Sequence, residues 1–298
     1  GYIVAVPLSG VILGCMDWMI EDGVIDESYR DIDWEAYDVN APFPGEGPME
    51  LAEGTAMLRR FFAQHEKMEL FEFGLRNGVT LAPVNNLEEL LSLQHLIERD
   101  YWRDLELDNG PVVKAPGLWA KPSNSSLSIR RSAPNLDQHG DEIRAELDNP
   151  AAPKSFPQTS GSDALPFEGI RVADFAWVGV GPISAKYLAD HGASVIRVES
   201  EKRPDVLRVG GPHKDGEPGL NRSQFFGDFN TSKQSLGLDL KNPEAIEIAK
   251  NLIRESDVMI ESFAPGAISR MGLSYEDVKK LNPKIIMIST CLMGQTGS

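Results

Sequence analysis

"VADFAWVGVGPISAKYLADHGASVIRVES", Val172 to Ser200, runs from an apolar strand through a glycine-bearing turn into a helix, then into a second strand closing on Glu199. Dinucleotide-binding units begin in this way. Gly179 and Gly181 supply a G-x-G pair, and Glu199 lies about 20 positions on, where a ribose-binding acid would stand. Two residues oppose that reading. Ser184 occupies the third glycine position, and Pro182 removes a backbone N–H where a pyrophosphate needs donors. The glycines serve equally well for a tight strand-to-helix turn, so these residues alone leave a nucleotide role open.

Further along, strand and helix alternate. Asn242 as N-cap and Pro243 at the first helical position open a helix whose apolar residues Ala245, Ile248, Ala249, Leu252 and Ile253 recur at helical spacing. The run "DVMIESF" reads as a short buried strand. "SYEDVKKLN" reads as a helix opened by Ser274 with Asp277 three residues on, and "KIIMIST" as another strand. This alternation predicts an α/β fold with a parallel, doubly wound, Rossmann-like sheet.

Before it lies "DNPAAPKSFPQTSGSDALP", rich in Pro, Ala, Ser and Gly and without apolar period, which reads as a linker. The segment preceding the linker is helix-rich α/β. "PMELAEGTAMLRRFFAQH" and "EKMELFEFGLRNG" are amphipathic, the second ending near Gly78, and Asn86 with Glu89 forms a capping pair for "NNLEELLSLQHLIERD". "VTLAPV" and "YWRDLEL" are strand candidates, and "DNGPVVKAPG" suggests turn and edge structure.

Composition narrows the function classes. The 298 residues carry a net charge of −16, and residues 1–150 hold 12 Lys+Arg against 27 Asp+Glu, which argues against a nucleic-acid partner. No apolar run approaches the roughly 18 residues of a membrane span, and the opening lacks a basic leader. A cytoplasmic protein is expected. Cys15 and Cys291 lie far apart without metal-ligand spacing, which suits free thiols in a reducing compartment. His65, His95, His139, His191 and His213 show no metal spacing either, so no metal site is expected. Arg130 and Arg131 form a basic pair whose default is a surface role.

The wider sequence resolves what the glycine pair leaves open. "GIRVADFAWVGVGPISAKYLADHGASVIRVESEKRPDVLR", "DFNTSKQSLGLDLKNPEA", "SDVMIESFAPGAISRMGLSYEDVKKLNPKIIMIST" and "GQTG" resemble, in order and spacing, the N-terminal half of family III CoA-transferases, the CaiB/BaiF family. "DWMIEDGVIDESY", "LRNGVTLAPVNNLEELL", "RDYWRDLELDNGPVVKAPG" and "IRRSAPNLDQHGDEI" resemble that family's C-terminal half more loosely, with Asp137 where glycine is usual. The resemblance therefore implies residues 1–148 as the C-terminal part of one module, 149–165 as linker, and 166–298 as the N-terminal, Rossmann-like part of a second. A fragment across the junction of a tandem two-module protein is the expectation.

The resemblance further implies reversible transfer of CoA from an acyl-CoA to a carboxylic acid. An aspartate attacks the thioester to form a mixed anhydride, and returning CoA converts this into an enzyme thioester. The family position of that aspartate falls outside both matched stretches, so no catalytic residue is assigned here, and Asp174, Asp190 and Asp239 match structural positions. Lys241 and Arg270 match positions that contact CoA, and Ser262 and Phe263 match an Asn-Phe pair along the adenine and pantetheine path. Trp177, Val178 and Gly179 match the turn facing CoA and the acyl group. CoA enters as substrate, with no tightly bound cofactor, and a homodimer or intramolecular pseudo-dimer is implied for the whole protein. The rivals are an α-methylacyl-CoA racemase on the same scaffold, a CoA-binding module without chemistry, and an NAD-dependent oxidoreductase, against which Pro182 and Ser184 stand.

Overall fold

In the computed structural model, the described residues are 1–40, 45–107, 110–131, 133–149 and 164–297. They divide into two compact units, Gly1–Leu93 and Gln94–Ser298. The linker expected at 149–165 falls almost wholly outside the described residues.

The first unit runs β1 (Tyr2–Val4), α1 (Ser9–Glu21), α2 (Trp34–Asn40), α3 (Leu51–Phe62), α4 (Lys67–Asn77), β2 (Ala82–Val84) and α5 (Leu87–Leu91). Its core gathers Ile12, Cys15 and Met19 of α1, Tyr37 of α2, Met57 and Phe61 of α3, and Leu70 of α4. β1 and β2 pair antiparallel beside them. Gly78 ends α4 in the left-handed conformation, and Asn86 and Glu89 form the reciprocal capping box at the start of α5.

The second unit begins with α6 (Gln94–Glu98), the antiparallel pair β3 (Trp102–Glu106) and β4 (Val112–Pro116), and α7 (Gly140–Asp148). The sheet region follows as β5 (Arg171–Phe175), α8 (Val180–Asp190), β6 (Ser194–Glu199), α9 (Gln224–Phe229), β7 (Gln234–Gly237), α10 (Pro243–Arg254), β8 (Val258–Glu261), α11 (Ala267–Arg270), α12 (Tyr275–Leu281) and β9 (Ile286–Ser289). Five strands pair in parallel in the order β7-β6-β5-β8-β9.

Both faces of this sheet are covered, as the near-continuous apolar strands require. Val172, Ala176, Val195 and Ile260 pack with Ala185 and Ala189 of α8 on one side. Ala173, Phe175, Val198 and Met259 pack with Ala245, Ala249 and Ile253 of α10 and Val278 of α12 on the other. The α/β, doubly wound arrangement read from the sequence is therefore present. Strand order reverses between β5 and β8, whose carboxyl ends flank the crevice where such sheets bind ligands.

Candidate functional site

Six of the seven candidate residues sit on loops that follow strands of the sheet, and the seventh is in a short helix. Trp177, Val178 and Gly179 follow β5, Lys241 lies between β7 and α10, Ser262 and Phe263 follow β8, and Arg270 ends α11.

The turn after β5 is held from two sides. Ser262 Oγ accepts from the Trp177 N–H at 2.6 Å and donates to the Trp177 carbonyl at 2.9 Å, tying the ends of β5 and β8 together. From the other side Asp205, fully buried, accepts from the Val178 N–H at 3.3 Å and from Arg197, while Arg197 Nη1 donates to the Ala176 carbonyl at 2.9 Å. These anchors maintain an uncommon backbone, with φ of +48° at Val178 and +61° at Gly179. A β-branched residue in that region is strained, so the surrounding contacts fix the turn rather than its own preference.

A second buried pair lies beneath. Lys233 Nζ donates to Asp174 Oδ2 and to the Pro182 carbonyl, both at 2.8 Å, and Arg197 stands 3.8 Å from Asp174. Burial pushes the Asp174 carboxyl up and the Lys233 ammonium down, against the attraction between them. The two carboxylates and two cations balance in charge, the condition under which buried ions persist. Asp190 accepts from Ser232 Oγ at 2.7 Å and Asp239 accepts from the Lys241 N–H at 3.1 Å, so both acids organise loops.

The features that suggested a dinucleotide have structural accounts. A Cβ at Gly181 would lie 2.3 Å from the Ala176 Cβ, so its missing side chain permits α8 to close on the strand end. Glu199 is buried and receives Arg208 through Nε at 2.8 Å and through Nη2, with the Arg208 guanidinium 3.6 Å from the centre of the Phe226 ring. It is turned to that arginine rather than to a ribose.

Lys241 and Arg270, 29 residues apart in sequence, line one open groove of about 550 Å³ together with Leu240, Pro243, Ile246, Glu247, Lys250 and Met271. Neither cation has an ion pair among the described residues. Trp177, Val178, Gly179, Ser262 and Phe263 do not line this groove. Phe263 packs against the sheet core, and its N–H donates to Glu261 Oε2 at 2.8 Å. The site therefore has two parts, a cationic groove and a braced turn. Sequence reasoning missed the brace: Arg197 inside a strand and Asp205 inside "RPDVLR" gave no periodic signal of their partnership. Among the described residues no group of three or more His, Cys, Asp or Glu side chains could hold a metal ion. None of the described helices is long and apolar enough to cross a membrane.

Residues 37–140 and 167–298 match CoA-transferase family III. The chain belongs to that family. Among curated relatives, the mouse (Mus musculus) succinyl-CoA:glutarate CoA-transferase is 39% identical over 47% of this chain and 31% of its own length. The formyl-CoA:oxalate CoA-transferase of Afipia carboxidovorans is 42% identical over 42% of this chain and 29% of its own. A probable CoA-transferase of Mycobacterium tuberculosis is 29% identical over 82% of this chain yet only 29% of its own length. The chain thus spans about a third of the curated relatives it matches.

Proposed function

We propose that the protein to which this chain belongs transfers CoA between an acyl-CoA and a carboxylic acid, through an aspartyl anhydride and an enzyme thioester, and that this chain contributes much of the CoA site. The observation that carries the reading is the convergence of Lys241 and Arg270, from separate sequence blocks, on one groove, neither of them held in an ion pair among the described residues. Localised cations beside a partly apolar wall suit the phosphates and adenosine of CoA. The braced turn at Trp177–Gly179, at the sheet's topological switch point, suits the thioester end. Ser262 serves there by holding Trp177, and Phe263, next to it in sequence, packs against the sheet core. No acid of the described residues is assigned as nucleophile.

The relatives named above are described as CoA-transferases, which favours that chemistry over racemisation. The probable CoA-transferase of Mycobacterium tuberculosis is matched over 82% of this chain but only 29% of its own length, which supports a tandem arrangement with 1–148 and 166–298 from successive modules. A cytoplasmic location and a homodimer or pseudo-dimer belong to the same proposal.

Titration calorimetry tests the site. CoA binds more tightly than NAD, and Lys241→Ala weakens CoA by roughly ten- to a hundredfold, the equivalent of about 1.5–3 kcal/mol for a lost charge-assisted phosphate contact. Tighter binding of NAD, or an unchanged CoA affinity in the variant, refutes the proposal.

A further inference from the structure

The groove contains a third cation that the family resemblance does not assign. Pro243, Ile246, Glu247 and Lys250 fall on one face of α10 at helical spacing and form one wall, and Lys250 joins Lys241 and Arg270 in the lining. Pro243 and Lys250 are seven residues apart, so at 1.5 Å per residue Lys250 springs from the helix about 10 Å beyond its start. Lys241 precedes that start. The groove thus carries positive charge at both ends, with Leu240, Ile246 and Met271 providing apolar surface between.

Lys250 differs from the other two in being occupied. Its Nζ donates to Glu247 Oε1 at 2.7 Å, and that bond holds the Glu247 carboxyl below the usual carboxylate range. The lysine is about three-quarters buried, while the glutamate is mostly exposed. An ion pair to a carboxylate this exposed is weak, and a phosphate dianion entering the groove is a stronger acceptor than one carboxylate.

We propose that Lys250 is a specificity-determining residue that recognises the second phosphate of a nucleoside bisphosphate, with Glu247 as the exchangeable counter-ion that holds it in place when the groove is empty. This rests on the reading of the groove as a CoA site and adds the discrimination between CoA and its analogue lacking the ribose 3′-phosphate. A ligand with phosphates on both sides of one ribose spans the two ends of the groove, whereas a monophosphate engages only one. Glu247 then adds selectivity of its own, since its charge opposes ligands too weakly anionic to displace it.

Calorimetry of the full chain with adenosine 3′,5′-bisphosphate and with adenosine 5′-monophosphate tests this without any turnover. The wild type prefers the bisphosphate by about tenfold or more, the effect of one charged contact. Lys250→Ala removes most of that preference by weakening the bisphosphate and leaving the monophosphate unchanged, and Glu247→Gln strengthens the bisphosphate several-fold. A Lys250→Ala variant that keeps the wild-type preference, with a native circular dichroism spectrum, overturns the inference. The reading beneath it fails separately, when Lys241→Ala leaves CoA affinity unchanged. A wild type that binds neither nucleotide defeats both.

Discussion

Val178 shows how much the site depends on its surroundings. A side chain branched at Cβ resists positive φ, and residues held there cost on the order of 1–3 kcal/mol. Glycine bears no such penalty. Val178→Gly is therefore expected to stabilise the chain by about 1 kcal/mol, read as a higher denaturant midpoint. A lower midpoint would mean that the half-exposed valine contributes more by packing than it loses by strain. Cys15 offers a second check, because complete burial in α1 pushes its thiol up to about 11 from the usual 9.0. Since the folded value lies above the unfolded one, this thiol's contribution to stability is complete below pH 9 and is lost as pH rises through 11. Alkylation of the native chain at pH 8.5 is expected to label Cys291 and spare Cys15, with both labelled in denaturant. Rapid labelling of both in the native state would contradict the buried placement. Lys241 and Arg270 were legible as candidates because they stand in recognisable blocks. The role of Ser262 in pinning Trp177 was not, because a hydroxyl that bonds across 85 positions leaves no local trace.

At the scale of elements, caps and periods carried the reading. Asn242 accepts from the Glu244 N–H and Ser274 from the Asp277 N–H, as the helix starts predicted. Ser274→Ala is expected to cost about 1 kcal/mol, the usual loss for an N-cap, without changing CoA affinity. An affinity loss in that variant would show that α12 and the groove are coupled. Helix α1 escaped notice because "SGVILGCMDWMIE" is apolar on more than one side and begins without a side-chain cap. The piece "DNGPVVKAPG" was expected as turn and edge structure, and its centre is the short strand β4. Its partners run from Trp102 opposite Pro116 to Glu106 opposite Val112. Flanking glycine and prolines masked a strand whose existence depends on β3.

For the molecule as a whole, the alternation of strands and helices was enough to anticipate a doubly wound sheet, since few other layouts bury such strands on both faces. Which distant residues would meet was not legible, because Arg197 reaches Asp205 and Lys241 joins Arg270 only once strand order and loop paths are set. That order also has a kinetic consequence. β5 takes β6 on one edge across a single helix, but its other edge waits for β8, and the Arg171 N–H that donates to Asp257 at 2.9 Å bridges 86 positions. During synthesis the β5-α8-β6 unit can assemble while the most buried strand still has one bare edge. The sheet remains open to misassociation until about sixty further residues, through Glu261, have emerged, so refolding of this unit is limited by arrival of β8 rather than by formation of its helices.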